Sequence, residues 1–296
     1  MKSSVPAILL AGWCAAAGAA TQFDKRVAAA PGNAVRVVNV AGAIKVVGGA
    51  QPDVHVTGTL GSSVERVDVV NDAGTIVVRV VLPKATRYNR DGEATLTVTI
   101  PAGSRLETST VSADQDVQGI TGAVQMSSVS GDLDAQLASN DVQVKTVSGD
   151  INLQGSGKSA RWRVSTVSGD VKLLRAAGSL ELNTVSGDTQ LELDQLSSFR
   201  GRTTSGDLQL RGRVLRGADI SYESVSGDLG IAVGTEAGMT IDAATFSGDI
   251  TTCFGEKGQP SSEYSPGEKL STRRGDGGAT LRVKSLSGDV NICDHP

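Results

Sequence analysis

The hydrophobic and polar positions of this chain fall into columns when it is written in lines of about twenty residues, each aligned on a Ser-Gly-Asp tripeptide. The aspartates of the copies are Asp132, Asp150, Asp170, Asp188, Asp207, Asp228, Asp249 and Asp289, with gaps of 18, 20, 18, 19, 21, 21 and 40 residues. A decayed copy, VSAD, ends at Asp114. One residue after the aspartate stand Leu133, Ile151, Val171, Thr189, Leu208, Leu229, Ile250 and Val290; two further on stand Ala135, Leu153, Leu173, Leu191, Leu210, Ile231, Thr252 and Ile292. Upstream, the eighth residue before it is apolar in every copy, from Val124 to Leu281, and the sixth in most. Alternation of this kind predicts two short strands per unit, each with one apolar face. The residues three before the aspartate (Val129, Val147, Val167, Val185, Thr204, Val225, Phe246, Leu286) share the apolar parity and are predicted to point inward. The Thr or Ser one place earlier, together with the motif Ser and Asp, takes the outward parity. Parity slips between the sixth and third positions, which predicts a corner there. The recurrent Gly predicts a bend in every unit.

A unit of this size cannot bury its apolar face alone, whereas copies stacked on one another merge their columns into one core. The expected fold is therefore all-β: a β-solenoid, single-stranded and β-helix-like, of 18–21-residue coils. Nine coils at the spacing of hydrogen-bonded strands make a rod on the order of 40 Å long. An antiparallel sandwich or barrel would explain the alternation but not the recurrence of one residue type in one column. Residues 21–105 read as an N-terminal β region that continues and caps the stack, with strands at Val35–Val40, Asp53–Leu60, Glu65–Val70, Thr75–Leu82 and Ala94–Ile100. Residues 106–296 carry the repeat. The polar, Gly-, Pro- and Ser-rich stretch 254–279 reads as a long loop inside the last gap, so the units of Asp249 and Asp289 are predicted neighbours. Cys253 and Cys293 each follow their aspartate by four residues. In adjacent coils they would lie opposite one another within disulfide range.

The phrase T-V-S-G-D-[VIL], as at Thr146–Ile151, Thr166–Val171 and Thr184–Asp188, with its variant at Ser285–Val290, resembles the bacterial DUF4097 family. The stretch VRVVNVAGAIKVVGG at 35–49 resembles that family's degenerate first coil, and LTVTIPAGSRLETSTVSAD at 96–114 its junction to the repeats. The resemblance implies a β-strand-repeat protein of the envelope with an adhesin label and no defined chemistry.

Residues 1–20, with Lys2, an apolar run over Val5–Ala17 and small residues near Ala19, read as a secretory signal peptide. Trp13 before Cys14 argues against a lipoprotein box. No later segment is apolar enough to span a bilayer, so the mature chain is expected outside the inner membrane, periplasmic or at the cell surface. Net charge is −4, from 28 basic and 32 acidic residues. With no basic face, nucleic acid is not an expected partner. The mature chain has His55 and His295 alone, no zinc spacing and no phosphate loop, so no catalytic residue and no cofactor is assigned. Trp162, Phe199, Tyr222 and Phe246 fall in inward columns, leaving Tyr88, Phe254 and Tyr264 as surface aromatics.

Stacking would line up Asp132, Asp150, Asp170, Asp188, Asp207, Asp228 and Asp249. Like charges at that spacing repel. The reading preferred is that each carboxylate accepts hydrogen bonds from Ser hydroxyl or backbone N–H groups in the bend. A row of oxygens holding Ca²⁺ or another hard cation is the sharper alternative. The sequence therefore predicts a non-catalytic envelope or secreted interaction module whose partner is an unspecified envelope protein or glycan. A polysaccharide-acting enzyme and a polymer-forming scaffold are the alternatives.

Overall fold

The computed structural model describes residues 21–30, 32–83, 92–234, 236, 238–262 and 266–294. The predicted signal peptide, Cys14, Tyr88, Tyr264 and His295 lie outside them. Among the described residues every regular element is a strand. The N-terminal part holds β1 (Thr21–Ala28), β2 (Ala34–Gly49), β3 (Asp53–Leu60), β4 (Arg66–Asp72), β5 (Thr75–Val81) and β6 (Ala94–Pro101). The repeats begin with β7 (Arg105–Ile120), β8 (Val124–Ser128), β9 (Leu133–Leu137), β10 (Asp141–Thr146), β11 (Ile151–Gln154) and β12 (Ser159–Ser168). They continue through β13 (Val171–Ser186), β14 (Thr189–Ser205), β15 (Leu208–Ser226), β16 (Leu229–Gly234), β17 (Met239–Ser247) and β18 (Ile250–Thr252). Four strands close the chain: β19 (Gln259–Pro260), β20 (Glu268–Arg274), β21 (Ala279–Ser287) and β22 (Val290–Cys293).

Equivalent residues of successive coils pair in parallel. Val142 sits between Val124 and Trp162, and Ile151 between Leu133 and Val171. The predicted inward columns on either side of the corner meet in a single core: Trp162, Phe199 and Tyr222 are all buried, as are Leu133, Leu153, Leu173 and Leu210. Gly201 interrupts a column, and the space it leaves is filled by neighbours, since a Cβ there would come within 2.4 Å of the Tyr222 ring. The Phe199 and Tyr222 rings stack with centroids 5.9 Å apart.

A simple open solenoid is nevertheless the wrong description. All 22 strands belong to one hydrogen-bonded sheet, and its parallel strands close around one core as a barrel of β-helix-like winding with extra strands added. The coils are not stacked in the order of the chain. β21 and β22, which carry Asp289, pair with β15 and β16 on one side and with β17 and β18 on the other. The final coil is thus inserted between those of Asp228 and Asp249. Both ends also depart from a plain stack. β2 lies parallel on β7 and forms a first coil, while β5 and β6 lie parallel on its far side. β3 and β4 then add antiparallel to β6 and β5, and β1 adds antiparallel to β3. A repeat specifies what each coil looks like, but similar coils fit one another in any order, so the pattern could not predict this arrangement.

The predicted loop 254–279 also holds structure. β20 pairs antiparallel with β17, Met239 facing Arg274 and Ala244 facing Lys269, and β19 pairs with β20. An uncovered strand edge templates further pairing. β20 occupies that edge with an alternation too polar to register as a strand, since only its Leu270 is buried. Cys253 and Cys293 are joined by a disulfide with Cα atoms 4.9 Å apart, tying the Asp249 coil to the inserted one.

Candidate functional site

The Ser-Gly-Asp phrase is a corner, and each of its residues has a separate task. Every motif glycine between Gly149 and Gly288 has a positive φ, from 115° at Gly227 to 135° at Gly149, a region that disfavours residues with a Cβ. A Cβ at Gly187 would also come within 2.3 Å of the Gly169 carbonyl oxygen of the coil beneath. Glycine is required here by conformation and by close approach together.

The aspartates form one continuous row. Oδ1 of Asp132 accepts from the backbone N–H of Asp150 at 2.9 Å, that of Asp150 from Asp170 at 2.9 Å, and that of Asp170 from Asp188 at 2.8 Å. The same contact links Asp188 to Asp207, Asp207 to Asp228, Asp228 to Asp289 and Asp289 to Asp249. Asp114 of the decayed copy accepts from Asp132. The carboxylate thus serves as the hydrogen-bond acceptor for the next corner, which offsets the repulsion along the row. Among the described residues no group of three or more His, Cys, Asp or Glu side chains is arranged to hold a metal ion.

Two columns are reversed relative to expectation. The hydroxyl column four before the aspartate, predicted outward, is buried at Thr146, Thr166, Thr184, Thr203, Ser224, Thr245 and Ser285. Most of these hydroxyls donate to the carbonyl two residues on, as Thr166 does to Ser168 at 3.1 Å and Thr245 to Ser247 at 3.0 Å. Thr184 donates to Thr203 at 2.9 Å instead. A hydroxyl satisfied by its own turn is cheap to bury. The apolar column beside it, predicted inward, faces solvent: Val129, Val147, Val167, Val185 and Val225 are 46–49% exposed, Leu286 51% and Phe246 61%. With Thr held inside, the next residue lies on the convex side of the corner and has no inward direction left. Val111 of the decayed copy belongs to the same stripe. The sequence signal for it was present in Thr-Val-Ser-Gly, where a hydroxyl and an apolar side chain compete for one inward place.

This stripe is the largest surface feature that the residue pattern missed. It runs the length of the repeat, edged by the exposed motif serines, and a shallow groove of about 350 Å³ beside it is lined by Lys145, Val147, Thr166, Val167 and Val185. The remaining candidates lie apart. His55 on β3 pairs with Asp24 on β1 at 2.8 Å. Phe254 lies 4.5 Å beneath the guanidinium of Arg274, which also reaches Asp294 at 3.1 Å.

Solved structures match the chain at low identity. A candidate adhesin from Parabacteroides distasonis ATCC 8503 is 10% identical over 93% of this chain and 98% of its own, with a TM-score of 0.45. A candidate adhesin from Bacteroides fragilis NCTC 9343 is 13% identical over 92% and 97%, with a TM-score of 0.38. A candidate lipid-binding protein from the same Parabacteroides strain is 11% identical over 72% and 96%, with a TM-score of 0.37. No curated protein matches the chain. The family described as Toastrack DUF4097 matches residues 43–293, from within the first coil to the disulfide of the last strand, and this chain belongs to that family.

Proposed function

We propose that this protein is a non-catalytic, adhesin-like interaction module delivered to the cell envelope, where the outside of its coils is the working part. The observation that carries this reading is the exposed apolar stripe from Val111 to Phe246 on an otherwise well-covered molecule. Monomeric soluble proteins rarely expose contiguous apolar surface of this extent without using it for contact. The stripe is held by corners whose glycines, hydroxyls and carboxylates are all committed to structure, so its shape is fixed before any partner arrives. Retention of envelope proteins or glycans from extracts on immobilised chain tests it. Wild type is expected to retain a partner that the triple variant Val147→Ser, Val167→Ser, Val185→Ser loses while keeping the same melting temperature. Equal retention by both would reject the stripe as the surface that holds an envelope partner.

A further inference from the structure

We infer that the occupant of the valine stripe is a second copy of this chain, docked side by side in the same direction and in register. The inference rests on the stripe being a contact surface and names what it contacts. In the order of the stacked coils the stripe reads Val111, Val129, Val147, Val167, Val185, Thr204, Val225, Leu286 and Phe246. Consecutive members are one strand spacing apart. Such a row is complementary to itself, because apolar side chains at equal spacing meet their counterparts all along an identical row.

Area and charge both favour this partner. With about half of each side chain uncovered, the stripe offers roughly 600 Å² per copy, and the serine rows beside it raise a paired total into the ~1,200–2,000 Å² of stable interfaces. Along each coil the aspartate row lies on one side of the stripe. On the other side, five residues before each aspartate, the column carries Lys145, Lys284 and an Arg202–Glu223 ion pair at 3.2 Å, which leaves the two lysines as its net charge. A two-fold axis along the stripe lays the aspartate row of each copy over this net-positive column of the other and sets Val147 against Val147. A two-fold axis across the stripe would oppose one aspartate row to the other, at a cost in repulsion. An anionic membrane is disfavoured by the same aspartates, and a sugar surface would want aromatic platforms, of which the stripe holds Phe246 alone.

Light scattering on the mature chain, with its native disulfide formed, tests this. A dimer is expected at micromolar concentration, and the triple serine variant is expected to weaken it by ~100-fold or more through lost apolar burial. Two variants with one added cysteine fix the geometry: Val147→Cys and Val225→Cys, placed symmetrically about Val185, are each expected to cross-link to themselves on oxidation. Links between the two variants only would overturn the parallel register. A dimer indifferent to the serine substitutions would overturn the stripe as its interface. A wild-type monomer that still retains envelope proteins or lipid vesicles through the stripe would defeat self-pairing while leaving the contact-surface reading intact; a monomer that retains nothing would defeat both.

Discussion

At the scale of the residue, the corner depends on glycine more than on any charged group. Gly187→Ala places a Cβ both in a disfavoured backbone region and against a carbonyl, and is expected to cost roughly 2–4 kcal/mol by thermal or denaturant melting. Asp170 separates hydrogen bonding from charge. Asp170→Asn keeps an acceptor for the Asp188 N–H and removes one charge from the row, so it is expected to be neutral or slightly stabilising. Asp170→Ala removes the acceptor and should cost about 1 kcal/mol. Burial pushes the Tyr222 phenol well above its ordinary value, opposed in part by its hydrogen bond with Thr203. The unfolded chain then releases that proton first as pH rises. Stability is therefore expected to decline above about pH 10, and Tyr222→Phe should flatten that part of the profile relative to wild type. Most of this scale was legible in the sequence. The core columns and the obligatory glycine follow from residue type and period; the carboxylate was legible as an acceptor, but its donor is the aspartate N–H of the next coil rather than a group in its own bend. The Thr146 and Val147 columns were not legible, because hydropathy places Val inside and Thr outside, and only the local bond from Thr hydroxyl to a backbone carbonyl reverses them.

At the scale of the element, periodicity located the coil strands because apolar burial is what holds them. It missed β20, whose pairing to β17 is almost wholly through backbone and whose side chains stay polar. Composition there reads as loop because an edge-covering strand needs no apolar face. The disulfide was legible from equal offsets alone, since residues at one offset in adjacent coils must face each other. In the chain-entropy account, closing the 40-residue separation between Cys253 and Cys293 contributes roughly 3–4 kcal/mol. The double variant Cys253→Ser, Cys293→Ser is accordingly expected to melt at lower temperature than the oxidised wild type. Limited proteolysis should cut it first within residues 250–294, because the disulfide bridges the two coils there. Loss of stability spread evenly over the coils would argue against that assignment.

At the scale of the whole molecule, covered ends decide whether the coils make one particle or a fibre. Removing residues 258–275 takes away β19 and β20 and exposes the edge of β17. Such a variant is expected to assemble end to end, visible as scattering that rises with concentration, whereas wild type should not extend in this way. Neither the covering of the ends nor the order of the coils was legible, because both depend on pairings between segments that share no repeat signature or share it too well. The coil order has one more consequence. The segment bearing Asp289 is made after both of the segments it lies between in the stack. Assembly therefore cannot finish as a zipper running from one terminus to the other. A slot must stay vacant until that stretch arrives, or a provisional neighbour must be evicted from it, so completion of the stack waits on the residues that carry Asp289.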